Sequence, residues 1–238
     1  MAAAFLHPFV GAQEYLNGGE RWILALQNAS PDELRSMPLV RERISKVRAH
    51  RNQSKSEQTR KLAESPRSFH VTVIPQQPFL VIPEASSERR EYIPIGWLEP
   101  PVIPSNLVRV LPDANLWHFA ILTSRMHMSW LRHIGGRLKS DYRYSIGLVY
   151  NTFPWPEATV RATNSIRRLA NAILYEREEH PGSTLADLYD PDCMPQKLRK
   201  AHLALDRAVD RLYRKTRFNS DRDRVEFLFS LYERLCDN

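Results

Sequence analysis

Residues 136–143, Gly-Arg-Leu-Lys-Ser-Asp-Tyr-Arg, set hydrogen-bonding groups of opposite kind at close spacing. Arg137, Lys139 and Arg143 can only donate, whereas Asp141, ionised at neutral pH, can only accept. Gly135 and Gly136, just ahead of them, permit a close approach of backbone to a partner. Two chemistries fit these residues. Lys139 and Asp141 can form an exposed ion pair, worth about 0–1 kcal/mol. They can also address the two edges of a G·C pair, because lysine donates to guanine O6 and N7 and aspartate accepts from cytosine N4. Arg143 would then meet a neighbouring base or a phosphate, and Arg137 a phosphate. On the residues alone the exposed ion pair is the simpler reading.

Other reactive chemistries lack their side chains. A nucleotide or methyl-donor site needs a Gly-rich strand-to-helix turn, and the isolated pairs Gly18-Gly19 and Gly135-Gly136 do not supply one. An amino-methyltransferase loop of the form (Asp or Asn)-Pro-Pro-aromatic has its nearest match at Glu99-Pro100-Pro101-Val102, which lacks both end residues and reads as a proline turn. Pro31-Asp32 and Pro191-Asp192 are not followed by the acid-x-Lys strand of a metal-dependent nuclease. His127 and His133 are six residues apart, which does not put both on one helix face, and His202 lies on an apolar stripe, as a core or cap histidine does. Cys193 and Cys236 form no CxxC pair, so neither a zinc site nor a disulfide framework is indicated, and a reducing cytoplasm fits. We expect no catalytic, cofactor-binding or metal-binding residue within these 238 residues.

The charge balance is +7, with 42% hydrophobic and 26% charged residues, enough apolar side chain for a packed core. A basic balance tilts towards a polyanionic partner without establishing one. Residues 35–67 are strongly basic, Arg51 and Lys55 among them, opposed only by Glu42, Glu57 and Glu64. That run is either a solvated helix face or a surface that follows phosphates. Arg89 and Arg90 are likewise either phosphate contacts or members of ion pairs. The first residues lack a basic segment and a long apolar one, so no signal peptide is expected. No apolar run reaches the roughly 18 residues of a membrane span, so no membrane partner is expected.

These groups must be held by a mixed framework. Ser30-Pro31-Asp32-Glu33 is a helix start, with Pro38 interrupting the pattern before Val40, Ile44 and Val47 recur at helical spacing. From Phe69 the period becomes two: Phe69, Val71 and Val73 alternate, and residues 79–82, 92–97, 107–111, 116–122 and 144–150 are further short strands. Met126, Trp130 and Ile134 mark one helix between the last two. Trp97, Trp117, Trp130 and Trp155 read as core or junction aromatics. Phe153-Pro154-Trp155-Pro156 is a stiff junction, beyond which three helical stripes follow, on Ile166 to Leu174, Leu198 to Leu212 and Val225 to Leu235, the last opened by Ser220 and Asp223. The fold class is therefore α+β: a mixed, β-rich domain over 21–157, an all-helical domain over 158–238, and residues 1–20 as a linker or the end of a preceding domain.

Several ordered runs carry a resemblance. They are Arg51-Asn52-Gln53-Ser54 with Thr59, Leu62-Ala63, Pro66 and Phe69; Ser86-Ser87-Glu88-Arg89-Arg90-Glu91-Tyr92-Ile93-Pro94-Ile95-Gly96; Ser124-Arg125-Met126-His127-Met128-Ser129-Trp130; residues 136–145; and Tyr150-Asn151-Thr152-Phe153-Pro154-Trp155-Pro156. In the tail, Leu188-Tyr189-Asp190-Pro191, Met194-Pro195, Leu198-Arg199-Lys200-Ala201-His202 and Leu205-Asp206 continue the series. In this order they resemble the C-terminal third of the MmeI-like (type IIL) restriction–modification enzymes, whose single polypeptides join an endonuclease, an adenine-N6 methyltransferase and a target-recognition domain.

The resemblance implies a double-stranded DNA partner, with the methyltransferase domain of the same parent polypeptide as the other partner, and a cytoplasmic location. It implies Lys139, Asp141 and Arg143 as base-reading residues, the first two as a specificity pair that varies with the base read. Arg51, Lys55, Arg89, Arg90 and Arg137 would be phosphate contacts. S-adenosylmethionine and magnesium would belong to parent domains outside this chain. A protein–protein module, marked by an exposed apolar patch, and an enzyme with an unrecognised site, marked by convergent carboxylates in a pocket, are the competing expectations.

Overall fold

The structure is a computed structural model that describes residues 2–70 and 74–237. After a short 3-10 turn the elements run β1 (Leu6–Val10), α1 (Ala12–Asn17), β2 (Trp22–Leu24), α2 (Pro31–Arg35), α3 (Pro38–Asn52), α4 (Glu57–Lys61), β3 (Phe79–Pro83), β4 (Ala85–Ser86), β5 (Gly96–Leu98), β6 (Ile103–Pro104), β7 (Val108–Leu111), α5 (Leu116–Leu122), α6 (Arg125–Ile134), β8 (Gly136–Leu138), β9 (Asp141–Arg143), a π-helical turn (Ile146–Tyr150), α7 (Val160–Glu178), α8 (Leu185–Leu188), α9 (Gln196–Tyr213) and α10 (Asp221–Cys236). The fold is mixed α+β, with small sheets ahead of a helical C-terminal region, as expected. No helix among the described residues is long and apolar enough to cross a membrane.

The chain forms two compact units. The first joins residues 1–10, 20–76 and 100–106. Its sheet has β1 at the centre, antiparallel to β2 (Leu6↔Leu24, Pro8↔Trp22) and parallel to β6 (Phe9↔Ile103). Ser30 opens α2 as a capping box: its hydroxyl accepts from Glu33 N (3.2 Å) while the Glu33 carboxylate accepts from Ser30 N (2.8 Å). Pro38 does not merely interrupt the pattern. It is the first residue of α3, where its missing N–H has no helical partner to lose. A small core of Leu26, Ala29, Met37 and Val40 packs beneath. Val71 and Val73 lie outside the described residues.

The second unit joins residues 11–19, 77–99 and 107–238. One sheet places the fully buried β3 between β5 (Leu80↔Trp97) and β7 (Val81↔Val110), both antiparallel. The other has the order β4-β9-β8. One hydrophobic core runs from Leu80 and Ile82 through Phe119, Trp130 and Phe153 to Ile166, Ile173, Leu205 and Leu228. Helix α7 packs on α5 and α9, and α6 on α10. The core is therefore continuous across the Phe153-Pro154-Trp155-Pro156 junction. The Tyr213 hydroxyl fastens the same junction by donating to Pro154 O (2.9 Å).

Two expected strands are helical. Residues 116–122 form α5: Asn115 Oδ1 accepts from Trp117 N (2.9 Å), and Phe119, Ala120, Ile121 and Leu122 are each 0% exposed. An element buried on every side shows no period, so a short apolar run cannot be told from a strand. Residues 146–150 wind into the π-helical turn, started by the Ser145 hydroxyl accepting from Leu148 N (3.3 Å). Of residues 92–97, only Gly96 and Trp97 join a strand. Among the described residues no strand follows Arg143, and the stripes of α7, α9 and α10 stand as read.

Candidate nucleic-acid interface

Strands β8 and β9 form a hairpin with Leu138 paired to Asp141 and Gly136 to Arg143. The pairing leaves a two-residue turn, Lys139-Ser140, and the short loop demands left-handed backbone, which Lys139 supplies at φ 58°. Side chains alternate across a strand. Leu138, Asp141 and Arg143 therefore share one face, while Arg137 and Tyr142 share the other. Tyr142 is buried; its hydroxyl donates to Glu88 O (3.2 Å) and accepts from Arg132 Nε (3.3 Å). The Arg137 guanidinium lies over the Tyr142 ring, 4.2 Å from its centroid, and donates to Ser140 O (3.1 Å). Tyr142 thus anchors the hairpin, and residues 138–140 project into solvent.

Each charged residue of the hairpin has a defined setting. Lys139 is exposed at the tip. Asp141 Oδ1 accepts from Glu88 N (3.3 Å), and among the described residues no ion pair joins it to Lys139. Arg143 Nε donates to Glu84 Oε1 (3.0 Å), and Arg109 Nη2 lies 2.9 Å from the same oxygen. Antiparallel pairing of β4 to β9 (Ser86↔Tyr142) brings the Ser86–Gly96 motif beside the hairpin. There Arg89 pairs with Asp192. Arg90 is half-buried, with Nη1 donating to Ser86 Oγ (3.4 Å); its Nε is buried with no partner among the described residues, and burial lowers its pKa.

In the first unit the basic run divides by function of each side chain. Arg51 donates to the carbonyls of Leu62 (2.8 Å), Ser65 (3.0 Å) and Ser68 (2.7 Å), stapling the chain that follows α4 to α3. Arg60 serves Ser54 O and Lys55 O, and Arg67 serves Ala29 O. Lys46 pairs with Glu42 and Lys61 with Glu57. Arg41 and Arg48, seven apart and so on one face of α3, are exposed, and so is Lys55 on the loop before α4.

Sequence reasoning did not find Tyr142, Glu84 or Glu88. Tyr142 carries a signal in retrospect, as an aromatic alternating between two charged residues; the two glutamates carry none.

Buried titratable groups of the second unit hold the fold. His127 Nε2 meets Tyr144 Oη at 3.0 Å, and burial lowers its pKa to about 3. The Tyr189 hydroxyl meets His202 Nε2 (2.7 Å), and Tyr92 stacks on the same imidazole. Tyr92 also donates to Asp206 Oδ2 (2.6 Å), and Arg125 N donates to Asp206 Oδ1 (2.7 Å). Burial raises the Asp206 carboxyl to about 6.

Comparison with known proteins agrees with the resemblance in the motifs. The model described as "MmeI, target recognition domain" matches residues 1–157, and "MmeI, C-terminal domain" matches residues 159–238. DNA methyltransferase A of Bacillus subtilis (strain 168) is 45% identical over 233 residues, 98% of this chain and 26% of that protein. A solved structure of the type IIL restriction-modification enzyme MmeI in complex with DNA matches with a TM-score of 0.97 at 43% identity, over 100% of this chain and 32% of the solved one. The chain spans about a quarter to a third of the length of these relatives. It belongs to the MmeI family, carrying that family's target recognition and C-terminal domains.

Proposed function

We propose that this chain is the sequence-reading module of an adenine-N6 DNA methyltransferase with restriction activity, and that its hairpin β8–β9 enters a groove of double-stranded DNA. One observation carries the reading: an anchored hairpin whose tip presents Lys139 to solvent, with Asp141 and Arg143 side by side on the face turned away from Tyr142. In this reading Lys139 donates to a guanine and Asp141 accepts from its cytosine partner. Arg143 contacts the next base or phosphate. Arg137, Arg89 and Lys55 serve phosphates, Arg89 by exchanging Asp192 for the backbone. Arg51 and Arg90 act from behind, since their donors point into the protein. Methyl transfer and cleavage, with S-adenosylmethionine and magnesium, belong to parts of the parent enzyme outside these residues, and the methyltransferase domain of that enzyme is the second partner.

The test exchanges donor and acceptor. Lys139→Glu with Asp141→Arg, placed in an active full-length enzyme, flips preference at one position from G·C to C·G and leaves the other positions unchanged. Each single change weakens binding, because it sets mismatched groups against the base edges. A correct bidentate contact contributes about 1–3 kcal/mol of discrimination, enough to see by sequencing methylated sites. An unaltered site with full activity means that neither residue reads a base.

A further inference from the structure

The helical C-terminal region carries a basic surface that base reading at the hairpin does not use. Lys197, Lys200, Arg207 and Arg211 follow one another on α9 at steps of three, seven and four residues, the spacing that keeps side chains on one helix face. Lys215 and Arg217 extend the row past the end of the helix. All six are exposed, and among the described residues none of their side chains makes a hydrogen bond or ion pair. The only carboxylates over residues 196–219 are Asp206 and Asp210, and both are buried and engaged elsewhere. Asp206 takes Tyr92 and the Arg125 amide; Asp210 takes Arg224 at 2.6 and 3.0 Å.

Within the described residues the row therefore has no ion-pair partner, and the nearest carboxylates, Asp223 and Glu226 beside Arg217, are paired with Arg214 and Arg222. Like charges four apart, such as Arg207 and Arg211, destabilise a helix. The face therefore keeps an excess of positive charge, which suits an external polyanion. Arg207, Arg211, Lys215 and Arg217 border a cavity of about 430 Å³ that also reaches Asn219 and Ser220, the start of α10.

The shape of the row selects the polyanion. At about 1.5 Å of rise per residue, the stretch from Lys197 to Arg211 spans roughly 21 Å of a straight helix. That matches about six base-pair steps of a duplex at 3.4 Å each along one strand. No large apolar side chain is exposed between residues 196 and 219. A helix that lies in a membrane surface needs an apolar face beside its cations. Arginine's planar fork suits phosphate oxygens.

We propose that this row is a second DNA-contact surface, which holds the phosphodiester backbone without reading sequence. The proposal rests on the reading of the chain as a DNA-recognition module, and it adds a separate, sequence-independent grip on the C-terminal domain. The test uses the whole chain with Arg207→Gln, Arg211→Gln, Lys215→Gln and Arg217→Gln combined. The probes are a random-sequence 30-base-pair duplex and a duplex selected by the unaltered chain from a randomised pool. Affinity for both duplexes should fall together, by about tenfold or more at 50 mM salt, with the log–log salt slope shallower by about 0.9 for each phosphate given up. The ratio of selected to random affinity should stay constant. A charge-preserving set, Arg207→Lys, Arg211→Lys and Arg217→Lys, should keep the slope. Unchanged affinity and slope in the glutamine variant overturn the proposal, while preference for the selected duplex still upholds the base-reading module. Loss in the lysine set equal to that in the glutamine set overturns it as well. An unaltered chain without salt-dependent duplex binding overturns both readings.

Discussion

Arg143, on the exposed face of β9, is held by Glu84, whose carboxylate accepts from its Nε at 3.0 Å across 59 residues of sequence. The same oxygen also takes Arg109, so one carboxylate sets the position of two cations. A DNA oxygen reaching Arg143 must compete with Glu84. Replacing Glu84→Gln should therefore raise duplex affinity about several-fold and steepen the salt slope by about 0.9, the value of one phosphate contact. It should also lower stability by about 1–3 kcal/mol, because hydrogen bonds to charged partners are weakened. Binding titrations across salt give the answer: a slope equal to that of the unaltered chain means that Arg143 reaches no phosphate.

Lys139 stands where glycine would be easier. A non-glycine residue in the left-handed region costs about 1–2 kcal/mol, and Lys139 sits there at φ 58°. Lys139→Gly should raise stability by up to about 1 kcal/mol, less a small entropic loss in the unfolded chain. Under the proposed base-reading role, the same change should abolish discrimination at one base pair. Thermal melts paired with site sequencing in a full-length enzyme check both halves. A melt that drops, or a site that keeps its preference, counts against a lysine retained for its donor.

Adjacent glycines 135 and 136 should respond differently. A Cβ at Gly135 would lie 2.5 Å from Leu131 O and 2.7 Å from Leu131 Cδ1, while one at Gly136 would meet nothing within 4 Å. Gly135→Ala should lose about 1–3 kcal/mol through this overpacking, and Gly136→Ala should stay within about 0.5 kcal/mol of the parent. Denaturant unfolding of the two variants decides it, and equal losses would show that the turn out of α6 yields easily.

Acid should weaken the second unit with a sign set by its buried groups. Burial holds His127 near 3 and His202 well below its usual value, so the unfolded chain binds those protons first. Stability from the histidines is lost as pH falls from about 6.5, at about 1.4 kcal/mol per pH unit for each. Asp206 acts oppositely. Burial raises its carboxyl to about 6 against hydrogen bonds from Tyr92 and the Arg125 amide that pull it down. The native state therefore binds its proton more tightly than the unfolded chain, whose carboxyl titrates near 3.9, and the contribution grows as pH falls from about 6 to 4. Asp206→Asn should make the loss between pH 6 and 4 steeper than in the unaltered chain. Parallel stability curves for the two proteins would refute the assignment.

What the sequence disclosed follows from how each element is buried. Helices α7, α9 and α10 were legible because each buries one stripe and starts at a turn or cap residue. Helix α5 was not, because burial on all sides erases its period. The hairpin was legible as a cluster of charges, whereas its support was hidden: Tyr142 bonds Glu88 O across 54 residues and Arg143 bonds Glu84 across 59, and no local pattern encodes such pairs. A basic run likewise does not say which of its arginines turn inward. Arg51 spends its donors on three carbonyls, while Arg41 and Arg48 keep theirs outside.

The core that runs unbroken past the Phe153-Pro154-Trp155-Pro156 junction bears on how such a protein can acquire a new target. A recombination breakpoint placed there would split Trp130 from Phe229, whose rings lie 5.2 Å apart, and Tyr92 from Asp206. Shuffled halves from different parents would then inherit unmatched packing surfaces. A substitution at the hairpin tip, where Lys139 is exposed and outside that core, leaves the packing of both halves intact.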